Sequence, residues 1–213
     1  MNIHSLAIGL PKQLTYKNQA YKSGIQKEPV KVLQVSKHGI VGDDVANHTF
    51  HGGVDRVICA YPFEHYAFWK SYLGHSLVLP AFGENMTLCG MRERDVMIGD
   101  IYKVSDCLLQ VSQGRIPCAT ISKFNQSPKL LQYIVEKGYT GYFFRVVEGG
   151  EITLQSPIEL VERKENEISI LRANQILFHE NNDKNELQRL LDQPDLAEDW
   201  KKKIEAKMKK MSN

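Results

Sequence analysis

Glycine is confined to one part of this chain. All fifteen glycines of the 213 residues lie at or before Gly150, and all four cysteines lie at or before Cys118. Glycine between short apolar runs is typical of strands joined by turns, whereas a glycine-free stretch with helical spacing favours helices. The sequence therefore predicts a mainly β fold with α-helices, divided into a β domain over residues 1–163 and a small three-helix domain over residues 164–213.

The first part contains eight short runs with strand character. They are Ser5–Gly9, Val30–Ser36, Val57–Tyr61, Asn85–Leu88, Ile101–Val104, Leu108–Ser112, Gly141–Val147 and Ile158–Val161. Two stretches with helical spacing, Phe63–Leu73 and Pro128–Lys137, interrupt these runs. So many short strands indicate a β-barrel.

The second part has the pattern of three short helices. We predict helices over Ile170–His179, Lys184–Asp192 and Asp195–Met211, the first capped by Ser169 and the second by Asp183. The last helix carries six lysines, which form either a solvated face or a basic patch for a phosphate or an acidic partner protein. We prefer the solvated face, because lysines also complement the negative end of the helix dipole. The six are Lys201, Lys202, Lys203, Lys207, Lys209 and Lys210.

Composition and charge exclude several classes of protein. Hydrophobic residues make up 42% and charged residues 24% of the chain, which is typical of a globular protein with a real core. The formal net charge of +2 provides no overall field for a nucleic-acid polymer or an anionic membrane. We find neither a long apolar run nor a secretion signal, and therefore expect a cytoplasmic protein with free thiols. The dinucleotide and nucleoside-triphosphate loops GxGxxG and GxxxxGK[ST] are missing from the sequence.

Two polar clusters precede and follow the third predicted strand. In the first, which runs through Asn47–Arg56, Gly52 and Gly53 free two successive amides for close approach to a ligand. His51 and Arg56 add donors suited to a phosphate or an oxyanion, although a tight turn with Asp55 and Arg56 paired explains the same residues. The second cluster, Phe82–Asn85, and the dipeptide Gly99–Asp100 have the composition of ordinary turns.

The strongest local signal is the segment Val111–Cys118. It leaves a strand, passes Arg115, turns at a proline and presents Cys118. A thiol near a guanidinium is favoured as the thiolate, which ligates soft metals or attacks sulfur. Cys59 and Cys107 have the surroundings of small core residues, and Cys89 has those of a turn residue.

Five motifs in this order resemble the MOSC-domain proteins, named for the C-terminal domain of molybdenum cofactor sulfurase. The motifs are HGGVDR, YPFEHY, PAFGENM, GDIY and QVSQGRIPC. The resemblance is greatest to the bacterial branch represented by the 6-N-hydroxylaminopurine resistance protein, and it implies a MOSC-type β-barrel followed by a three-helix tail. The family usually has proline where this chain has Gly114, so we expect a more flexible approach to Arg115.

The resemblance also implies a cofactor and a set of site residues. It implies that Cys118 is the protein ligand of molybdenum in the molybdenum cofactor, while Arg115 offsets negative charge. The implied cofactor-binding residues are His51, Gly52, Gly53, Arg56, Glu84, Arg115 and Cys118. The catalytic candidates are Cys118, Asp55 and Asn85, with Asp55, Glu84 and Asn85 shaping the pocket.

Two functions from different classes follow from these residues. The first is a molybdenum-dependent reductase that converts N-hydroxylated bases, such as 6-N-hydroxylaminopurine, to amines. It needs a separate electron-donor flavoprotein or similar partner, for which the C-terminal helices are a candidate docking surface, and it leaves room for a homodimer. The second is a carrier that holds sulfur or the cofactor on Cys118 as a thiolate or persulfide. We prefer the enzyme, because the cluster of polar residues exceeds what a sulfur carrier needs; a barrel that has lost its cofactor is a third, less favoured hypothesis.

Overall fold

The computed structural model describes residues 1–165, 167–179 and 183–211. The strands in these ranges are β1 (Asn2–Ile8), β2 (Lys12–Tyr16), β3 (Gln19–Ser23), β4 (Glu28–Pro29), β5 (Val32–Ser36), β6 (Gly39–Ile40), β7 (Ile58–Pro62), β8 (Met86–Cys89), β9 (Ile101–Val104), β10 (Cys107–Gly114), β11 (Tyr142–Glu148), β12 (Gly150–Thr153) and β13 (Ile158–Glu162). The helices are α1 (His48–His51), α2 (Glu64–Leu73), α3 (Ala119–Phe124), α4 (Leu130–Lys137), α5 (Ile170–Phe178), α6 (Lys184–Leu191) and α7 (Glu198–Met211). A short 3₁₀ turn covers Val54–Arg56.

Eight of the strands form one curled sheet in the order β13-β9-β10-β11-β7-β8-β1-β4. Its pairings are antiparallel except for the parallel pair β7 and β8. A smaller sheet has the order β12-β5-β6, and β2 pairs with β3 as a separate hairpin. The predicted fold class, mainly β with α-helices and a helical C-terminal part, is confirmed, and the predicted barrel takes the form of a curled eight-stranded half-barrel.

The sheet and the C-terminal helices share one hydrophobic core. Strand β10 is buried along almost its whole length, because the sheet covers one face and helices α5 and α7 lie near the other. Ile170, Ile176, Leu190, Trp200 and Ile204 of the three helices are fully buried in the same cluster as the sheet residues. Burying one such side chain contributes about 1.5–3 kcal/mol. The helices are therefore packed onto the sheet, while the predicted division at residues 163 and 164 stays a prediction.

A second cluster, rich in aromatic residues, lies under α2 and α4. Tyr61 and Phe82 stack with ring centroids 3.8 Å apart, and the Trp69 Nε1–H donates to the Tyr61 hydroxyl over 2.7 Å. The rigid packing of these rings holds the Phe82–Asn85 segment in place.

All eight predicted strands are present, with ends shifted by at most three residues. The hairpin of β2 and β3 was not predicted, because its residues are mostly polar, with one face exposed and the other only half-buried. Its turn has positive φ angles at Lys17 (48°) and Asn18 (62°), and Asn18 was the available turn signal. None of the helices in the described ranges has an apolar stretch long enough to cross a bilayer.

Gly114 has a different role from the one expected. It is the last residue of β10, it pairs with Tyr142 of β11, and it is buried. A methyl group added here would lie 2.5 Å from Asn174 Oδ1 and 3.1 Å from the Trp200 ring. Gly114 is thus a packed strand residue that allows the C-terminal helices to approach closely, and the predicted flexibility is wrong.

We expect Gly114→Ala to destabilise the fold by about 1–3 kcal/mol, the usual cost of overpacking. Asn174 cannot move away freely, because it is fully buried and its Nδ2 donates to Gly138 O and Thr140 Oγ1 over 3.0 and 2.9 Å. Urea unfolding followed by circular dichroism measures the change. Gly74→Ala is the control, because a methyl group added there has no neighbour within 4 Å. Its φ of +78° adds backbone strain but no overpacking. Unchanged stability of Gly114→Ala would contradict the close packing.

Candidate functional site

A cavity of about 730 Å³ lies where four parts of the chain meet. These are the β2–β3 hairpin with the segment after it, the residues around α1, the loop from β10 into α3, and helix α7, while Cys59 of β7, Asn85 before β8 and Phe143 of β11 line it from the sheet. Polar lining residues include Lys22, Lys27, Asp43, His51, Arg56, Asn85, Gln113, Arg115, Asp199, Lys202 and Lys203, together with the thiols of Cys59 and Cys118. The cavity is large enough for a ligand of cofactor size.

Cys118 lies in extended backbone directly before α3, with φ −125° and ψ 166°. Its thiol is free and partly exposed, and its side chain makes no hydrogen bond within the part of the chain that the structure describes. The turn at Pro117 therefore places the free Cys118 thiol at the cavity.

Arg115 connects the Cys59 thiol in the cavity wall to the aromatic layer. Its NH1 donates to the Phe82 carbonyl oxygen and lies 3.7 Å from Cys59 Sγ. Cys59 is buried, as predicted for a core thiol, and burial raises its pKa while Arg115 partly offsets this. Cys59 is therefore held as a thiol in the wall.

Arg56 fastens the loop after α1. Its Nε donates to Gly52 O over 2.9 Å, and its NH1 donates to Phe50 O over 3.0 Å. The same NH1 forms an ion pair with Asp199 Oδ2 of α7 at 2.7 Å. One guanidinium thus joins the loop to the C-terminal helix at the rim of the cavity.

His51 ends α1, and it lines the cavity together with Arg56 and Arg115. Partial burial lowers its pKa from the ordinary value of 6.5, and the positive charges of Arg115 and Arg56 lower it further. The imidazole is therefore neutral at neutral pH. An anion in the cavity would offset the guanidinium charges and raise the pKa of His51, so binding is coupled to proton uptake.

Sulfate binding should accordingly strengthen several-fold as the pH falls from 7.5 to 5.5, because protonation of His51 then assists the anion. Sulfate is suitable since its charge does not change in this range. His51→Gln should flatten the dependence without abolishing binding, and His75→Gln, outside the cavity, is the control. Calorimetric titration at four pH values measures both; an equal slope in His51→Gln would reject His51 as the titrating group.

Lys27 and Asp43 form an ion pair in the wall, with side chains exposed by only 5% and 11%. Asp43 Oδ1 also accepts from the Gly9 amide over 2.8 Å. Each charge compensates the other, so the pair can persist in a buried position.

Asn85 and Gln113 are buried amides that behave differently. Asn85 Oδ1 accepts from the Cys59 amide over 3.1 Å, and its Nδ2 donates to Ala7 O over 3.2 Å. Asn85 therefore positions the wall, and these contacts do not support the predicted catalytic role. Gln113 is 2% exposed, and its Oε1 has no hydrogen-bond partner among the described residues.

Four predicted site residues lie outside the cavity lining. Asp55 pairs with Arg145 at 2.8 Å, which does not support a catalytic role. Glu84 is fully buried and accepts from Tyr66 Oη, the Phe82 amide and Thr87 Oγ1, so it supports the wall from behind. The Gly52 amide donates to His48 O, and Gly53 has a φ of +114°, so this pair shapes the turn.

The lining is strongly positive. Six cationic side chains face two carboxylates, Asp43 and Asp199, each of which is already paired. Within residues 1–165, 167–179 and 183–211, no three His, Cys, Asp or Glu side chains cluster as metal ligands. The arrangement is suited to an anionic ligand that also contacts the free thiol of Cys118.

Comparison with known families identifies the chain. A model of the MOSC domain matches residues 47–159, more than half of the chain. The chain belongs to the MOSC family. A model of the YiiM-like 3-alpha helix domain matches residues 168–210 of this MOSC protein, which covers α5, α6 and α7.

Two relatives of this MOSC protein match more than nine tenths of its length. The uncharacterized protein YflK of Bacillus subtilis is 36% identical over 201 residues, which are 94% of this chain and 91% of YflK. The crystal structure of YiiM from Geobacillus stearothermophilus superposes with a TM-score of 0.82 at 35% identity, covering 97% of this chain and 98% of that one. A Gibberella moniliformis protein named "Reductase" is 33% identical over 146 residues, 67% of this chain and 26% of that protein.

Sequence reasoning placed five of its candidates on the cavity and missed others. His51, Arg56, Asn85, Arg115 and Cys118 line it as a group. The contributions of Lys22 and Lys27 were missed, because they come from a polar hairpin and from the segment after it, where no motif marked them. Lys202 and Lys203 belong to the six lysines for which a solvated face is preferred over a basic patch, although the run of three lysines at 201–203 was an available signal for the patch.

Proposed function

We propose that this MOSC protein is a molybdenum cofactor-dependent oxidoreductase that reduces N-hydroxylated bases and related N-hydroxylated compounds to amines, with Cys118 as the protein ligand of the metal. The observation that carries the proposal is a free thiol on a large, positively charged cavity. The family and the reductase-named relative support the reaction class.

The lining residues suit the cofactor chemically. Cys118 offers the soft sulfur ligand that molybdenum takes, and the cationic lining complements an anionic pterin phosphate and dithiolene. The unpartnered Gln113 Oε1 can accept a hydrogen bond from a ring N–H group. When bound, the cofactor would supply a two-electron centre that accepts oxygen.

The reaction consumes two electrons and two protons: R–NHOH becomes R–NH₂ and H₂O. Among the lining groups, His51 is suited to pass a proton to the departing oxygen, because its neutral ring has one donor and one acceptor nitrogen. Arg115 holds positive charge in the lining beside Cys59, and Arg56 keeps the loop and α7 together around the substrate. The electrons come from a separate donor protein.

The test is the molybdenum and pterin content of the natural protein made in a cofactor-producing host, followed by turnover of 6-N-hydroxylaminopurine with a chemical reductant. We expect about one metal per chain, the stoichiometry of one cysteine ligand, and formation of 6-aminopurine. Absence of metal with a persulfide on Cys118 would favour the sulfur carrier instead and refute the reductase.

A further inference from the structure

Helix α7 presents two different faces. Trp200 and Ile204 are fully buried in the common core. Asp199, Lys202, Lys203 and Ala206 recur at the spacing of one helix side, and this side lines the cavity. The helix is therefore anchored by its apolar side while its polar side forms a wall of the site.

The lysines of α7 fall into two groups. Lys201 lies 3.5 Å from Glu198, and Lys207 Nζ donates to the carbonyl oxygens of Ile176 and Leu177 at the end of α5. By contrast, neither Lys202 nor Lys203 has an ion pair or hydrogen bond with any described residue. Their two positive charges are uncompensated at the cavity.

Other lining groups indicate which kind of ligand binds beside these lysines. Lys22 on β3 adds a third uncompensated ammonium from the hairpin, and a phosphate monoester carries up to two negative charges. Lysine binds such an anion as a point charge. Elsewhere in the lining, the buried and unpartnered Gln113 Oε1 needs a donor, which the N–H edge of a heterocyclic ring provides.

We propose that Lys202 and Lys203 form a phosphate-binding subsite, so that the cavity takes a phosphate monoester of an N–H-bearing heterocycle. The proposal rests on the proposed function only for the source of the phosphate, which is either the pterin cofactor or a nucleotide substrate. It assigns the three-helix tail a direct part in ligand binding.

The first experiment measures binding to the protein without cofactor. Guanosine 5′-monophosphate is the probe, since its base has an N–H edge and its phosphate is a monoester, and guanosine is the dephosphorylated control. We expect the double variant Lys202→Gln and Lys203→Gln to weaken the monophosphate about tenfold or more, the effect of losing charge-assisted contacts. Guanosine affinity should not change.

The matched control is Lys209→Gln with Lys210→Gln. It removes the same charge from the same helix at exposed positions that do not line this cavity. No measurable binding of the monophosphate to the natural chain, unchanged affinity in the Lys202 and Lys203 variant, or an equal loss in the control would each overturn the subsite.

A second measurement on protein from a cofactor-producing host identifies the source of the phosphate. Lower pterin content in the Lys202 and Lys203 variant assigns the subsite to the cofactor. Unchanged pterin content with a higher KM only for phosphorylated N-hydroxylated substrates assigns it to the substrate. If the natural protein holds no molybdenum, the proposed function fails, while the monophosphate titration still decides the subsite.

Discussion

Replacement of Trp200 by alanine is expected to lower the free energy of unfolding by about 3–5 kcal/mol, the usual range for a fully buried tryptophan. The indole is completely enclosed, lies against Gly114 and packs edge-to-face with Phe178 at 6.4 Å between ring centroids. Its Nε1 has no hydrogen-bond partner among the described residues, so the contribution is one of packing.

Urea unfolding monitored by circular dichroism measures this loss, since Trp69 would complicate a fluorescence signal. Trp200→Phe should lose less, because it keeps a ring in the same space. Trp200→Ala should also weaken binding of guanosine 5′-monophosphate if the packing of α7 positions its lysines. A loss of stability below about 1 kcal/mol, well under the range for such a deletion, would show that the tail is only loosely attached.

Replacement of Cys118 by alanine is expected to abolish both stoichiometric molybdenum and reduction of 6-N-hydroxylaminopurine. The protein should remain folded, because the side chain is partly exposed and makes no hydrogen bond within the described ranges. Surface changes of this kind usually alter stability by less than about 0.5 kcal/mol. The loss is therefore one of ligation and not of structure.

Cys89→Ala is the matched control for this experiment, since Cys89 is also a partly exposed free thiol but does not line the cavity. Metal content by mass spectrometry, turnover and thermal unfolding are measured on the same preparations. Full metal content and turnover in Cys118→Ala would show that the Cys118 sulfur is not a ligand of the metal.

The fold was largely predictable because its signals are local. Apolar runs of strand length and capping residues such as Ser169 determine most elements. The β2–β3 hairpin was missed because one face is exposed and the other only half-buried, so its strands carry few apolar residues.

The site was only partly predictable because its contacts are between distant segments. Cys118 and Arg115 belong to one motif and were found together. Asp55 has the same local pattern as a catalytic acid, yet it pairs with Arg145, a partner 90 positions along the chain. Likewise, no local pattern shows that Lys202 faces a cavity while Lys201 does not.

The ion pair of Arg56 with Asp199 has a consequence for the order of events during protein synthesis. The hairpin, the loop after α1 and Cys118 all leave the ribosome before Asp199 and the lysines beside it. A nascent chain therefore contains Cys118 before Lys202 and Lys203 complete the lining of the cavity. Under the proposed function, tight capture of an anionic ligand would therefore wait until α7 docks against the loop after α1.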